Sequence, residues 1–402
     1  MVNLAYFICG QAKLVPLAIG KPGVAKTASL LALAWKLGYK LYILTGSIRE
    51  PADIGGYPTL KEVIHDGKTI HYMSIVPPEY VIKALSEPTI LFIDELTCCH
   101  PGTQSAMLAI CAERRVGDTY LPESTLIFAA CNPPGTAANG FPLEATMANR
   151  VVHLKWEFPR ADWITGMREG LNYPAPDPPI LPADWSKHIV GISSLMAEFH
   201  EREPGYLQPE EDDDGNLLLS THERSGAYPT PRTWHMAARG IAAVRSVTDD
   251  LDFPKQVEED VLRGCVGYSA SEAFYEYADN LDLPDPNEII HKMISAQGIQ
   301  HAPNTDMDVF YEEVVPDPKR ADKVRAFLGS VSSAIIVENT KERWNAAQEI
   351  FRQVMAKHKE VAVCCAGTLY RNKPKGTSIS TDMTDTVWNT IGRTIQEKEE
   401  NA

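Results

Sequence analysis

The chain has 402 residues, of which 44% are hydrophobic and 23% are charged, and its formal net charge is −15. These values are typical of a globular protein of two or three domains, and they exclude wholesale disorder. The acidic balance also argues against a surface coated with basic residues, so neither nucleic acid nor anionic lipid is the expected partner, although a local basic channel is compatible with it.

Two further features of composition concern location. The longest apolar runs, such as 30–35 and 126–131, are far shorter than the roughly 20 residues of a membrane-spanning helix, so we expect no membrane span. The first residues have no basic region and no small-residue cleavage site, so we expect no signal peptide. The eight cysteines include two vicinal pairs and no C-x-x-C spacing, which predicts buried thiols in a reducing compartment and a cytoplasmic location.

The first 160 residues alternate strand patterns with helical patterns, which is typical of an α/β fold with a mostly parallel sheet. Several of the strand patterns are continuous apolar runs, as expected of strands that are buried on both faces. Strands are predicted at 14–19, 41–45, 89–93, 125–130 and 150–156, and helices at 27–37 and 104–113.

Two predicted hairpins interrupt this alternation. The longer one spans 60–75 around Asp66 and Gly67, and the shorter one spans 115–122 around Gly117 and Asp118. An Asp-Gly pair between two alternating runs is a strong hairpin signal. Because insertions in an α/β domain often carry function, we expect both hairpins to contribute to it.

Beyond residue 160 the pattern changes to helices joined by proline-rich segments, of which 174–182 is one. Residues 201–228 are polar and acidic, which predicts an exposed loop or a disordered insertion, and a strong helical pattern covers 340–363. We therefore predict three domains. They are an α/β core over 1–160, a helical region over 161–300 with the acidic insertion 201–228, and a helical extension over 301–402.

A glycine-rich turn links the first predicted strand to the first predicted helix. Backbone N–H groups of such a turn and of the following helix converge on a phosphate group. Lys26 is placed to bridge the β- and γ-phosphates, and the Thr27 hydroxyl is placed to hold Mg²⁺. Ala25 stands where such loops usually have glycine, and its Cβ either fits a helical φ or crowds the loop. The predicted phosphate-binding residues are Gly20, Pro22, Gly23, Val24, Ala25, Lys26, Thr27 and Ala28.

The strand at 89–93 is followed directly by two acids, Asp94 and Glu95. Packing gives no reason for adjacent carboxylates at the end of a buried strand, whereas a cation or a transferred proton does. We expect Asp94 to complete the Mg²⁺ coordination shell and Glu95 to act as the general base that polarises an attacking water. Together with the glycine-rich turn, these acids predict binding and hydrolysis of a nucleoside triphosphate.

These motifs resemble those of AAA+ ATPases, and over residues 14–245 the sequence is similar to the MoxR group of that class. The resemblance rests on the acids at 94 and 95 and on the segments 104–108 and 113–116. It implies a P-loop NTPase core followed by a helical lid, with ATP and Mg²⁺ as cofactors. It also implies a homo-hexameric ring that acts on a protein client, often one with a von Willebrand factor A domain.

The same resemblance assigns three further residues. Asn132, at the end of the predicted strand 125–130, corresponds to sensor 1, which orients the water beside the two acids. Arg150 corresponds to the arginine finger, which neutralises charge on the γ-phosphate of a neighbouring subunit. Arg232 corresponds to sensor 2, in which a lid helix begins after proline and directs an arginine at the nucleotide.

Three functions remain open at this stage. The first is an ATP-driven remodeller of a protein client. The second is a nucleic-acid motor or loader on the same core, for which the hairpin at 60–75 offers few cations. The third is a scaffold that binds ATP and turns over little of it, which the unusual Ala25 favours.

Overall fold

The computed structural model describes residues 3–133, 141–170, 177–212, 217–281, 283–298, 320–379 and 384. The chain forms two compact units, one from residues 1–183 and 205–271 and the other from 184–204 and 272–402. These units interleave along the chain, whereas the predicted domains are three consecutive stretches. That three-domain division stays a prediction, and much of its last part, including 301–319 and 385–402, lies outside the described residues.

A five-stranded parallel sheet forms the centre of the first unit. Five of the nine described strands form this sheet, and the other four form two hairpins. The nine strands are β1 (Pro16–Ile19), β2 (Lys40–Thr45), β3 (Tyr57–His65), β4 (Lys68–Val76), β5 (Thr89–Asp94), β6 (Arg115–Val116), β7 (Thr119–Tyr120), β8 (Leu126–Cys131) and β9 (Val152–Lys155). The sheet has the order β2-β5-β8-β1-β9. Every residue of β8 is buried, because helices cover both faces of such a sheet. The α/β fold class predicted from the sequence, a parallel core of the P-loop type followed by helical regions, is confirmed.

Helices occupy most of the remaining described residues. They are α1 (Leu4–Gln11), α2 (Lys26–Leu37), α3 (Pro51–Gly55), α4 (Glu79–Ser86), α5 (Pro101–Glu113), α6 (Ala145–Ala148), α7 (Arg160–Arg168), α8 (Ile189–Arg202), α9 (Thr221–Arg224), α10 (Pro231–Arg245), α11 (Pro254–Val266), α12 (Tyr268–Leu281), α13 (Pro286–Gly298), α14 (Ala321–Val337), α15 (Lys341–Lys357) and α16 (Lys359–Arg371). Sequence signals mark several ends: Thr230 caps α10 ahead of Pro231, and Gly38 ends α2 in the left-handed conformation. None of the helices in the described stretches is long and apolar enough to cross a membrane.

Both predicted hairpins are present. In β3–β4 the strands pair over their full length, and the turn residues Asp66 and Gly67 both have positive φ, as the tight two-residue turn requires. The shorter hairpin, β6–β7, turns at Gly117, where a Cβ would lie 2.5 Å from Ile75. Because the Asp118 carboxylate also accepts a hydrogen bond from the Ile75 backbone N–H, the turn of the short hairpin is fixed against the base of the long one.

Three predictions about the helical half differ from the structure or fall partly outside it. The helical pattern at 340–363 belongs to two helices, because α15 ends before His358, whose φ of −130° and ψ of 61° are not helical. The predicted acidic insertion contains the helix α9 and one antiparallel bridge, Glu211 with Leu217. Its residues 213–216 lie outside the described residues, as do 174–176 of the proline-rich segment.

Candidate nucleotide site

The predicted phosphate-binding and acidic motifs meet at one edge of the sheet. Strands β5, β8 and β1 are parallel neighbours, with Ile93 opposite Ala129 and Ile19 opposite Cys131. The loop after β1, the acids after β5 and Asn132 after β8 therefore all follow the carboxyl ends of adjacent strands, where ligands bind in sheets of this type. The structure thus brings together the groups that the sequence predicted separately.

The loop after β1 depends on two glycines and one strained alanine. A Cβ on Gly20 would lie 2.8 Å from the Trp156 side chain, so only glycine fits there. Gly23 has a φ of 79°, which glycine adopts readily. Ala25 immediately precedes α2 with φ 61° and ψ 24°, so its backbone is left-handed and does not have the φ of a right-handed helix. The left-handed conformation costs an L-residue about 1–2 kcal/mol.

Lys26, Thr27 and Asp94 form the polar centre of the site. The Lys26 ammonium donates to the carbonyl oxygens of Gly20 (2.6 Å) and Lys21 (3.1 Å), and the Thr27 hydroxyl lies 3.5 Å from an Asp94 carboxylate oxygen. Burial lowers the pKa of Lys26, against the opposing effect of Asp94. Burial also raises the pKa of Asp94, partly offset by its hydrogen bond from the Glu95 N–H and by Lys26. For both residues, the attraction and the hydrogen bonds that the protein supplies offset only part of the cost of burying the charge.

Glu95 is held by a residue that the sequence analysis did not single out. Its backbone has φ 56° and ψ 38°, and its carboxylate accepts a hydrogen bond from the Ser47 hydroxyl. Ser47 follows β2, which is the parallel neighbour of β5. The sequence did contain a pattern that could have indicated Ser47, because this residue follows the end of a predicted strand, as the predicted site residues do. Gly46 permits the approach, because a Cβ there would lie 3.1 Å from the Glu95 carbonyl oxygen.

Trp156 anchors the loop from the other side of β1. Its indole N–H donates to the Val24 carbonyl oxygen at 2.9 Å, and its ring packs edge-on against Tyr6 and Phe7 of α1. Tyr6 in turn donates to the Ala129 carbonyl in β8. The helix α1 therefore fixes the loop through Trp156, a role that no sequence motif indicated.

The donor set at this edge fits a nucleotide phosphate and Mg²⁺. The first N–H groups of α2 have no partner within the helix and lie at the positive end of its dipole. A hydroxyl and a carboxylate oxygen from Thr27 and Asp94 are ligands that Mg²⁺ prefers, and Mg²⁺ usually keeps several waters beside them. Within the described residues no group of three or more His, Cys, Asp or Glu side chains forms a metal site by itself.

Arg150 and Arg232 lie beside each other, away from this edge. Burial and the neighbouring Arg232 guanidinium both lower the pKa of Arg150. Arg150 donates to the Thr146 carbonyl at 2.6 Å, and Arg232 lies 3.4 Å from the Asn149 side-chain oxygen. Asn149 is 8% exposed and is hydrogen-bonded to Thr230 at 3.0 Å. Sequence reasoning missed this Asn149–Thr230 pair, which ties the two arginine-bearing segments together.

The two arginines lie at the amino-terminal edge of the sheet. Arg150 comes two residues before β9, and Val152 is opposite Pro16 while Lys155 is opposite Ile19. Within β9 alone, from Val152 to Lys155, the strand advances about 10 Å, which is longer than an arginine side chain, and Arg150 lies in the turn before it. The phosphate loop begins beyond Ile19, so Arg150 does not reach the loop of its own chain. Arg232 shares this location, because it contacts Asn149, the residue before Arg150.

A cavity of about 470 Å³ opens next to Trp156. Its walls come from the start of α1, the end of β9 with the following residues, and the segment that leads into α11. Asn3 closes one side, because its amide makes a pair of hydrogen bonds with the Glu157 backbone, at 2.8 and 3.1 Å. Burial raises the pKa of Asp260 in this cavity. The polar residues that line the cavity are Asn3, Lys155, Glu157, Asp252, Gln256 and Asp260.

Comparison with known proteins leaves the family unassigned. No family model matches the sequence, and no curated protein matches it. Among solved structures 216 chains match. One is a protein from Cytophaga hutchinsonii whose description as an ATPase is provisional. It aligns with a TM-score of 0.42 and 18% identity over 69% of this chain and 88% of its own. That alignment is too loose to support a function, which must be argued from the site itself.

Proposed function

We propose that the protein is an ATPase that binds ATP with Mg²⁺ and hydrolyses it. The observation that carries this proposal is the convergence of Lys26, Thr27, Asp94 and Glu95 around a glycine-rich loop at a helix N-terminus. No structural requirement explains a partly buried lysine, a hydroxyl and two acids at one strand edge. Phosphoryl transfer, by contrast, needs these groups for positioning and charge stabilisation.

Each of these residues has a distinct task in the proposed reaction. The loop N–H groups and Lys26 bind the β- and γ-phosphates, and Lys26 would exchange its bonds with the loop carbonyls for phosphate oxygens. Thr27 and Asp94 would hold Mg²⁺, which supplies charge neutralisation when bound. Glu95 accepts the proton of the attacking water, and Asn132 orients that water without adding charge. Ser47 acts as a positioning residue, since it restrains the Glu95 carboxylate.

We further propose that both Arg150 and Arg232 act in trans, on the nucleotide of a neighbouring subunit. The support is their position at the opposite edge of the sheet and the mutual repulsion of two guanidinium groups that lie side by side. An anion between them would relieve that repulsion. This differs from the expectation that Arg232 senses the nucleotide of its own chain. The proposal requires a closed oligomer, and a homo-hexameric ring is the form that the resemblance to the MoxR group implies.

The cavity beside Trp156 is the proposed site of the adenine base. It adjoins the phosphate loop through Trp156, and its volume falls in the range of ligand pockets. The start of α1, the end of β9 and the first part of α11 form its walls. A protein client remains the proposed target of the ring, with a von Willebrand factor A domain protein as the partner that the MoxR resemblance suggests.

The test uses two substitutions with different expected effects. Lys26→Ala removes the phosphate contact, so ATP binding measured by calorimetry is lost. Glu95→Gln keeps the size and the hydrogen bond from Ser47 but cannot accept a proton. We therefore expect near wild-type ATP affinity with turnover lowered about 100-fold or more. Lys40→Ala, which removes an exposed lysine at the start of β2, is the control and changes neither quantity.

The outcomes separate the remaining alternatives. Wild-type turnover by Glu95→Gln would exclude Glu95 as the general base. Wild-type protein that binds ATP tightly but releases no phosphate, alone or after assembly, would instead support the nucleotide-gated scaffold. Full ATP affinity in Lys26→Ala would contradict the proposed phosphate site itself.

A further inference from the structure

The hairpin β3–β4 exposes an unusual amount of apolar surface. It forms a two-stranded sheet of its own, and no other described strand pairs with either outer edge. An isolated hairpin of this kind is marginally stable in water, and a contiguous exposed apolar patch usually marks an interaction site. The exposed large apolar side chains of this hairpin are Tyr57, Leu60, Val63, Ile64, Ile70, Tyr72, Met73 and Val76.

The charges of the hairpin are separated between its two faces. Side chains of paired residues share a face, and successive residues alternate between faces. Lys61 pairs with Tyr72, and Lys68 pairs with His65, so both lysines lie on one face. We call this the lysine face, and its members are Tyr57, Thr59, Lys61, Val63, His65, Lys68, Ile70, Tyr72, Ser74 and Val76. Glu62 lies on the opposite face, where it contacts His71 at 3.2 Å.

The two lysines of this face are not compensated by ion pairs, although the Asp53 carboxylate accepts a hydrogen bond from Tyr57 at one end of the face. Neither Lys61 nor Lys68 forms an ion pair within the part of the chain that the structure describes. The nearest carboxylate in sequence to Lys68 is Asp66 in the turn, which contacts His65 at 3.6 Å. A partner for this face must therefore supply negative charge together with apolar surface. A phosphate backbone alone would pair with the lysines but leave Val63 and Ile70 uncovered.

The chain itself carries a surface with the complementary chemistry. Residues 210–212 run extended and antiparallel to 217–218, with a bridge from Glu211 to Leu217 and a 2.8 Å hydrogen bond from Leu218 to Glu210. We call these residues the acidic strand. Glu210 and Glu211 are exposed and make no ion pair among the described residues, and Leu218 is 59% exposed.

We propose that the lysine face of one subunit binds the acidic strand of a second copy of this chain. Lys61 and Lys68 pair with Glu210 and Glu211 of the second copy, and Leu218 packs against the exposed aliphatic side chains of the face. The contact joins two different surfaces, so repetition generates a ring or a filament. It would supply the assembly that arginines acting in trans require, although its test does not depend on ATP turnover.

The experiment is sedimentation velocity of the full chain at several concentrations, with and without ATP. We expect wild-type protein to self-associate and the double variant Lys61→Glu/Lys68→Glu to associate at least tenfold more weakly. Glu210→Lys/Glu211→Lys should have the same effect. The quadruple variant, which exchanges the charges between the two surfaces, should restore association to within about threefold of wild type. High salt should weaken wild-type association in the same direction, since it screens exposed charges.

Controls separate this contact from general charge effects. Lys359→Glu/Lys375→Glu changes the net charge by the same amount at exposed positions of the second unit and should leave association unchanged. Circular dichroism of each variant reports folding, and recovery in the quadruple variant would itself show that the hairpin tolerates the changes.

A monomeric wild type would overturn the proposal, as would undisturbed assembly of the lysine variant. Weakening of assembly without recovery in the quadruple variant would exclude the acidic strand as the occupant. Calorimetry of ATP binding and an assay of phosphate release, run in parallel, show separately whether the proposed ATPase function holds.

Discussion

At the scale of single residues, the phosphate loop combines one strained position with one external anchor. Ala25 adopts a left-handed conformation that glycine accepts without cost. Trp156 compensates in part, because its hydrogen bond to Val24 holds the loop backbone one residue before the strained alanine. The loop geometry thus depends on a contact from β9 as well as on its own sequence.

Ala25→Gly should stabilise the first unit. The substitution relieves about 1–2 kcal/mol of backbone strain in the folded state. Glycine also increases the conformational entropy of the unfolded chain, which stabilises the unfolded state by about 0.4–1 kcal/mol. We expect the free energy of unfolding to rise by about 0.5–1 kcal/mol, measured by chemical denaturation. Ala25→Val, which places a β-branched side chain at the same φ, should shift the value the other way. A loss of stability in the glycine variant would show that the left-handed conformation is not strained.

Trp156→Phe should loosen the phosphate loop without emptying its packing site. The phenyl ring keeps contact with α1 but cannot donate to the Val24 carbonyl, at a cost of about 1 kcal/mol. We expect ATP affinity to fall several-fold in calorimetry, with a small decrease in melting temperature. Trp35→Phe is the matched control, because Trp35 is 87% exposed; it should alter neither quantity. Equal effects of the two substitutions would argue against the anchoring role.

The placement of residues that stand in local motifs was predictable from the sequence, and the placement of residues that act across the fold was not. Lys26, Thr27 and Asp94 stand in short motifs next to predicted strands, and the sheet brings them together as expected. Trp156 acts on a loop 132 residues earlier in the chain, and Asn149 acts on Thr230, 81 residues later. Such contacts depend on strand order and helix packing, which no local pattern encodes.

At the scale of elements, strands and turns were more predictable than the limits of the helices. Buried parallel strands are continuous apolar runs, and the Asp66–Gly67 pair specifies its turn directly. The helical pattern at 340–363, however, continues across His358 although the chain bends there. Apolar periodicity reports which face of each helix is buried, and α15 and α16 bury similar faces in one core.

Within the second unit, a carboxylate on α8 should make stability depend on pH. The Glu198 side chain is 12% exposed and lies 3.6 Å from Arg325 of α14. Burial raises its pKa from the ordinary 4.5 to about 7, opposed by Arg325 and reinforced by Glu201 and Asp322. Tyr277 of α12 and Cys365 of α16 also face this group.

The sign follows from the direction of this shift. Between pH 4.5 and about 7 the folded protein binds more protons at Glu198 than the unfolded chain does, so stability falls as the pH rises through this window. Glu198→Gln removes the titration. We expect the melting temperature of wild type, measured by scanning calorimetry of the full chain, to fall as the pH rises from the lower to the upper end of this window. In the variant this fall should be smaller by about 2–5 °C. An unchanged pH profile in the variant would place the titration elsewhere.

At the scale of the whole molecule, stretches that are distant along the chain belong to one compact unit. Residues 184–204 leave the first unit and join the second, after which the chain returns for 205–271. As a result, Thr230 and Arg232 belong with the sheet and contact Asn149, although the sequence placed them in a separate helical domain. The position of Arg232 beside Arg150 depends on this return.

The strongest test of the proposed assembly mixes inactive subunits. Arg150→Ala and Lys26→Ala proteins should each lack ATPase activity, whereas a mixture should regain part of it, because an intact loop then faces an intact arginine. Random assembly of equal amounts makes about a quarter of the interfaces productive. Arg232→Ala mixed with Lys26→Ala should behave in the same way, since both arginines are proposed to act in trans.

Mixing Arg150→Ala with Arg232→Ala gives the decisive result. If both arginines serve the neighbouring subunit, every interface lacks one of them and the mixture stays inactive. If Arg232 serves its own chain instead, the loop of an Arg150→Ala subunit beside an Arg232→Ala subunit is fully equipped and activity returns. Sedimentation of the mixtures confirms that the variants assemble together.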